Sequence, residues 1–506
     1  MEDRKNIVKR VLGWRPSDPV VSIGAVAVLA VLLMPLLRIA LYAVPWYDDF
    51  NYASFTRTAM METPGLIGAL KGAWECAGVQ WYAWQGTFSS IFFMALSPHI
   101  WGEEYYFLGS IFLILLLTVS VFVLMGTLAG KVLHVDKATS ISLQAVTAIM
   151  AIELTYTTPS ALFWYNPGVH YMGMHSFAML FIAVLICLFT VERAWSIRGV
   201  LLILAGMLGA VLAGGSNFVT ALQAFVVLGF VAAAAFFVEK KKILRYLPVL
   251  LVYGYAFYRN VSAPGNRVRG QFYVGWGYGP VESVLRSFLE AFRYLGEFSG
   301  WITLVAVILI IPLAWRIVGK SDFSFRLPGL VLLGSFCLYA TGFTPSLYSL
   351  GHAGLSRTLN AVKITYQILL VINEVYWIGW ARRMLAKRGR ECRAKGCPWW
   401  FYVLIGLSVI FVVKHSSNQY GWYSSWGAYH YIHSGEAYNF HCEYLDRLEI
   451  LRSDEKNVVL ESYQFKPWML CLGDLSEDPD SEENRAMASW YGKDSLAVRA
   501  VGEETE

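Results

Sequence analysis

Residues 105–130 read YYFLGSIFLILLLTVSVFVLMGTLAG, a run with no charged side chain that stops at Lys131. Roughly 20 mostly apolar residues in a helix cross a hydrocarbon core about 30 Å thick. No water reaches the backbone there, so its amides must bond within the segment, and that selects the helix. The run predicts a transmembrane helix, and the rest of the chain repeats its pattern.

Working outward, apolar runs fill 20–43 and 138–156, then 169–191, 200–214, 218–238, 243–258, 298–318, 327–342, 364–380 and 399–413. The fold class is all-α and polytopic, with about eleven transmembrane helices. The runs 200–214, 243–258 and 399–413 are short, so one of them can be re-entrant. Of the 506 residues, 56% are hydrophobic and only 15% charged. Soluble chains average about a quarter charged, so the partner implied is a lipid bilayer. The net charge of +5 sits mainly in connecting segments and gives no reason to expect nucleic acid.

Lys and Arg mark alternate connections. Arg4, Lys5, Lys9, Arg10 and Arg15 precede the first run. Lys131 and Lys137, Arg193 and Arg198, then Lys240, Lys241, Lys242 and Arg245 follow on every second connection. Arg316, Lys320 and Arg326 continue the series, and residues 382–395 add seven more. The opposite short loops, 157–168 and 214–217, carry none. Positive residues stay on the cytoplasmic side. The expected layout is a cytoplasmic segment 1–19, a transmembrane domain 20–413 with outer loops 44–104 and 259–297, and an extracytoplasmic tail 414–506. The membrane is the cell (plasma) membrane. The first run ends at Pro45-Trp46-Tyr47-Asp48 rather than at small residues, so it is expected to remain as a span.

The outer loop 44–104 is rich in Trp and Tyr, and helical spacing over 52–77 predicts one or two helices in the interface. Residues 87–96 form an apolar stretch suited to a short re-entrant helix. Residues 281–297 predict an amphipathic helix. From Lys414 onward 17 acids face 8 bases, and the tail reads as a small soluble α/β appendage: a helix at 436–453, a strand at 457–461 and a helix at 482–491. Cys442 and Cys471 in this tail either pair in an oxidising compartment or stay free. No Cys/His spacing matches a zinc site.

The sharpest motif is Asp48-Asp49-Phe50, just beyond the first span. Two adjacent carboxylates raise one pKa, which suits a general base, and such a pair is also able to hold a divalent cation, Mg or Mn. The plain alternative is two hydrated loop acids. Arg267 and Arg269 follow Pro264-Gly265-Asn266 outside the 243–258 run, and the Arg fork matches phosphate; contact with lipid head groups is the simpler reading. Gly351-His352-Ala353-Gly354 leads to Arg357, with Asn360 and Lys363 further along. His352, Arg357 and Lys363 are candidates for the same anion, or the cationic end of a Gly-rich turn. Asn166 and His170, at the outer end of 169–191, and Asn217, at the turn 214–217, join Asn266 and Asn360 as candidates for lining a pocket. His170 and His175 are five apart, which does not suit a metal pair. Glu153, Glu374 and Arg38 are costly within spans and default to function or pairing; Arg38 and Glu153 are candidate partners.

Asp48-Asp49-Phe50, Ala263-Pro264-Gly265-Asn266-Arg267, Arg357-Thr358-Leu359-Asn360 and the tail segment around Asn484-Arg485-Ala486-Met487-Ala488 and Trp490-Tyr491 together resemble the GT-C class of membrane glycosyltransferases. Within it, the chain resembles a poorly characterised family of bacterial membrane proteins, over essentially its whole length. The resemblance implies a sugar donor carried on polyprenyl phosphate, a glycan or lipid-linked acceptor outside the cytoplasm, and an acidic base in the first outer loop. Asp48 would take the acceptor proton and Asp49 orient it, while Arg267, Arg269 and Arg357 stabilise the leaving phosphate. Related sequences often carry Gly-Arg where this chain has Gln85-Gly86-Thr87. A flippase or transporter of lipid-linked glycans would use the same cations and aromatics without chemistry, and a non-catalytic envelope-polysaccharide assembly protein would use its tail for docking.

Overall fold

The computed structural model describes residues 11–193, 195–389, 397–415 and 423–499. Arg4, Lys5, Lys9 and Arg10, the bases from 390 to 395 with Cys392, and the aromatic stretch at 416–422 lie outside the described residues.

Among the described residues, seven helices are long and apolar enough to cross a bilayer: Asp18–Ala40, Glu103–Val132, Tyr165–Thr190, Ile197–Gly214, Phe218–Val238, Trp301–Lys320 and Pro328–Leu350. With one two-stranded sheet as the only sheet among the described residues, the chain is an all-α multi-pass membrane protein. The other four expected spans are also helices, but they are shorter or more charged. Lys137–Glu153 and Trp399–His415 have 17 residues each. Ile243–Val261 carries Arg245 and Arg259. Ser356–Lys387 is 32 residues long and bears Arg357, Lys363 and Glu374. A count of eleven rests on these four.

The basic connections gather at one end of the bundle. Arg316 Nη1 lies 2.6 Å from Asp18, and Lys320 Nζ lies 2.5 Å from both Asp18 and Asp136. Arg382 donates to the Trp315 carbonyl at 2.7 Å, and Trp399 N–H to the Trp14 carbonyl at 3.1 Å. These contacts tie the starts of Asp18–Ala40 and Lys137–Glu153 to the end of Trp301–Lys320.

At the opposite end, the loop after the first span folds into two helices, Asp48–Glu62 and Leu66–Ala83. The stretch expected to re-enter is a seven-residue helix, Phe88–Met94. It is held at the turn after Ile197–Gly214, where Ser89 N–H donates to the Gly215 carbonyl at 3.0 Å. The amphipathic helix is Pro280–Phe298; Ser287, Ala291 and Phe298 are buried while Leu285, Leu289 and Phe292 are exposed.

The tail is more than an appendage. Its helices Glu436–Arg452 and Glu482–Tyr491 pack on two parallel strands, Asn457–Glu461 and Ser495–Arg499, in the register Asn457↔Ser495, while Ser424–His433 lies against the first span, Asp18–Ala40. Val458, Leu460, Leu496 and Val498 alternate into its core, as a half-buried strand requires. Asn484, fully buried, explains one of the quoted tail motifs. It donates to the carbonyls of Ser476 (2.7 Å) and Leu496 (2.9 Å) and accepts from Ser476 N–H at 2.9 Å. The unit docks on the membrane domain through Glu103, which takes Arg452 at 2.6 Å and Tyr491 Oη at 3.1 Å. Glu153 also serves docking rather than pairing with Arg38: it accepts from Ser425 N–H at 3.1 Å and Ser425 Oγ at 2.8 Å. Cys442 and Cys471 are free.

Candidate active site

The acid pair opens the helix Asp48–Glu62, and its two members differ sharply. Asp49 is fully buried. One carboxylate oxygen accepts from Tyr106 Oη at 2.7 Å and from Trp46 N–H at 3.0 Å; the other accepts from Asn166 N–H at 3.0 Å. Tyr106 Oη in turn accepts from Tyr165 N–H at 3.0 Å. The first loop, the start of the span Glu103–Val132 and the turn at 164–166 are thus tied by one carboxyl group. Burial pushes the Asp49 carboxyl up to about 7, against the pull of those three hydrogen bonds.

Asp48 is only partly buried, and Asn166 Nδ2 holds its backbone carbonyl at 2.6 Å. Burial raises its carboxyl above the ordinary range, the Arg357 guanidinium opposes the rise, and Glu482 of the tail adds to it. Asp48 therefore keeps a reachable carboxylate beside a cation, whereas Asp49 is a structural anchor. The pair does not fit a divalent cation, because both Asp49 oxygens already accept from N–H and O–H groups. No group of three or more His, Cys, Asp or Glu able to hold a metal occurs among the described residues.

The three candidate arginines divide. Arg357 leads the helix Ser356–Lys387 and lies 6.0 Å from the Trp164 ring, whose indole N–H is buried without a partner. Arg269 hydrogen-bonds Gln85 Oε1 and lies 5.4 Å from the Trp84 ring. Arg269 and Arg357 both act electrostatically on His170, and Arg269 also on Tyr52, one turn after Asp48. These two converge on the region of Asp48. Arg267, one helix face away, is exposed and makes no hydrogen bond or ion pair with the described residues.

Other candidates act on the backbone or face elsewhere. Asn217 caps Phe218–Val238 by accepting from Thr220 N–H at 3.0 Å and donates to the His170 carbonyl at 2.7 Å. Asn360 accepts from the N–H groups of Tyr156 (2.8 Å) and Thr157 (2.9 Å). Asn266 accepts from Gly86 N–H at 2.9 Å, and beside it Gly265 packs so tightly that a Cβ would lie 2.6 Å from Trp84 N. That contact requires glycine and seats the helix Pro264–Gln271 on the end of Leu66–Ala83. His352 is exposed and accepts from Gly354 N–H in its own turn. Lys363 faces a different flank, 6.0 Å from the Tyr156 ring and 5.6 Å from that of Phe298.

An apolar groove of about 700 Å³ adjoins this region. Trp74, Trp81 and Tyr82 of the loop helix face Val211, Leu251 and Tyr255 across it, and Arg259 stands at its rim. Arg259 stacks 4.2 Å from the Trp81 ring, and its carbonyl accepts from Trp81 Nε1 at 2.8 Å.

Sequence reading assigned no specific role to Tyr47, Tyr106, Gln85, Trp164 and Glu482. Each acts through a contact distant in sequence, so spacing gave no signal; only Gln85 stood out, as a departure from the resembling family. The chain matches no protein-family model, no curated protein and no solved structure.

Proposed function

We propose that this protein is a GT-C-type membrane glycosyltransferase with about eleven spans and a cytoplasmic N-terminus, which moves a sugar from a polyprenyl-phosphate donor to an extracytoplasmic glycan or lipid-linked acceptor. The observation that carries the reading is that Arg357 acts on Asp48 and Arg269 on Tyr52, one turn further on, while an apolar groove lies along the neighbouring helix Leu66–Ala83, at the end of the bundle opposite its basic connections. A lipid-linked donor needs those parts together: apolar walls for the chain, cations for the phosphate, and a carboxylate for the acceptor.

In the proposed step the acceptor hydroxyl oxygen attacks the anomeric carbon while Asp48 takes its proton. The bond from that carbon to the phosphate oxygen breaks, and the electron pair leaves on polyprenyl phosphate. Arg357 and Arg269 offset the charge that develops there, which is worth most where water is excluded. Asp49 holds the turn and does not enter the chemistry.

The test uses purified full-length protein in lipid nanodiscs with a panel of polyprenyl-phosphate sugars and glycan acceptors. Donor-dependent transfer that Asp48→Asn abolishes supports the reading. Movement of a lipid-linked glycan across the bilayer without transfer replaces it with the flippase.

A further inference from the structure

The residue before the acid pair, Tyr47, has φ +31° and ψ −90°. Non-glycine residues avoid positive φ, and such a backbone persists only where its surroundings fix it. One restraint is Asp49, whose carboxylate takes Trp46 N–H at 3.0 Å. The other comes from 435 residues away: Tyr47 Oη donates to Glu482 Oε2 at 2.5 Å.

We propose that Glu482 is a positioning residue of the candidate site, bracing through Tyr47 the turn that presents Asp48. The proposal rests on the reading of Asp48 as the base. Glu482 lies in the first turn of Glu482–Tyr491, where the helix dipole favours an anion. That helix lies along Asp48–Glu62 and is fixed at its far end as well. Arg57 Nη1 donates to the Trp490 carbonyl at 2.5 Å, its guanidinium 4.4 Å from the Trp490 ring, and the Phe50 ring lies 5.6 Å from the same indole. With both ends held, the helix cannot slide, so the Tyr47–Glu482 contact sets the turn. Burial, followed by the hydrogen bond to Glu482, raises the Tyr47 phenol above its ordinary value, so it stays a donor. The tail is in this view a wall of the site.

The experiment measures backbone hydrogen exchange over residues 46–52 in the full-length protein in nanodiscs, alongside transfer kinetics. Asp49 N–H donates to the Trp46 carbonyl at 2.8 Å and Phe50 N–H to the Tyr47 carbonyl at 3.1 Å, so these two amides report the turn. Glu482→Ala should speed their exchange on the order of tenfold, the usual weight of a hydrogen bond to a charged group. Glu482→Gln, which keeps a neutral acceptor, should speed it by only about a few-fold. The kcat should fall on the order of tenfold in Glu482→Ala with donor KM unchanged, and recover to within about a few-fold of wild type in Glu482→Gln. Tyr47→Phe removes the same bond without touching the tail, and carries the comparison if Glu482→Ala does not accumulate. Wild-type exchange in both Glu482→Ala and Tyr47→Phe overturns the proposal. The expected exchange pattern in a protein that uses no donor upholds the brace and overturns the glycosyltransferase reading instead.

Discussion

Arg269 donates to the side-chain oxygen of Gln85, 184 residues earlier in the chain. Gln85 is neutral, so the bond orients the guanidinium without cancelling its charge, and the cation stays available to an anionic ligand.

Arg269→Lys should therefore weaken donor use, because an ammonium lacks the fork that pairs with two phosphate oxygens. Arg269→Ala and Arg357→Ala should each lower transfer on the order of 10–100-fold, the equivalent of about 1.5–3 kcal/mol for a charge-assisted hydrogen bond. Arg267→Ala should change it less than about twofold, in keeping with the small contribution of an exposed charge. A donor titration on the three variants decides. If Arg267→Ala is the damaging one, the phosphate lies on the other face of Pro264–Gln271.

The acid pair makes a second contrast. Asp48→Asn should remove transfer, a loss of roughly 10²–10⁴-fold for a missing general base, and leave the melting temperature unchanged. Asp49→Asn turns one acceptor oxygen of the Tyr106, Trp46 and Asn166 network into a donor, so it should destabilise the fold at acidic pH by about 1–3 kcal/mol. Tyr106→Phe should move stability in the same direction. Thermal unfolding in detergent, read beside activity, separates the two roles. Equal melting temperatures for Asp49→Asn and wild type at pH 5 would mean that Asp49 is not an anchor.

Local and periodic features were legible in the sequence. The uncharged run at 105–130 needs no distant residue to be a helix, and the helix at 482–491 and strand at 457–461 followed from local pattern. The division of labour within the site was not legible. Asp48 and Asp49 are chemically identical neighbours, and only Tyr106 and Asn166, brought in by two other spans, make one an anchor. The asparagines looked like pocket residues because an amide that ties two backbone segments has no periodic mark. The tail read as separate because its charge balance suits water, while its attachment depends on Glu103, Arg57 and Tyr47 in the first loop.

Asp49 also sets a pH dependence. Its carboxyl is pushed from the ordinary value of 3.8 up to about 7. Between those values the folded chain holds a proton that the unfolded chain has released, so stability falls as pH rises through this window and levels off above it. The slope from one such group is at most about 1.4 kcal/mol per pH unit. Wild type should lose melting temperature from pH 5 to pH 7.5, and Asp49→Asn should lose less. The same pH dependence in both proteins would place its origin in another group.

The sidedness of the molecule gives the last prediction. The basic connections lie at one end and the tail docks at the other, so a label on the tail and a label on a basic connection must report opposite faces of the membrane. Glu477 and Lys240 are both exposed, one in the tail and one between Phe218–Val238 and Ile243–Val261. The probe is a membrane-impermeant maleimide applied to intact cells expressing the chain with its native cysteines replaced. Positive residues are retained in the cytoplasm, so Glu477→Cys should label at once and Lys240→Cys only after the cells are opened. The reverse pattern would invert the protein and put Asp48 on the cytoplasmic side, where nucleotide-activated rather than lipid-linked sugars would be the donors to test. Labelling of both from one side would mean that an odd number of the three shorter or more charged helices between the two labels, Ile243–Val261, Ser356–Lys387 and Trp399–His415, fails to cross.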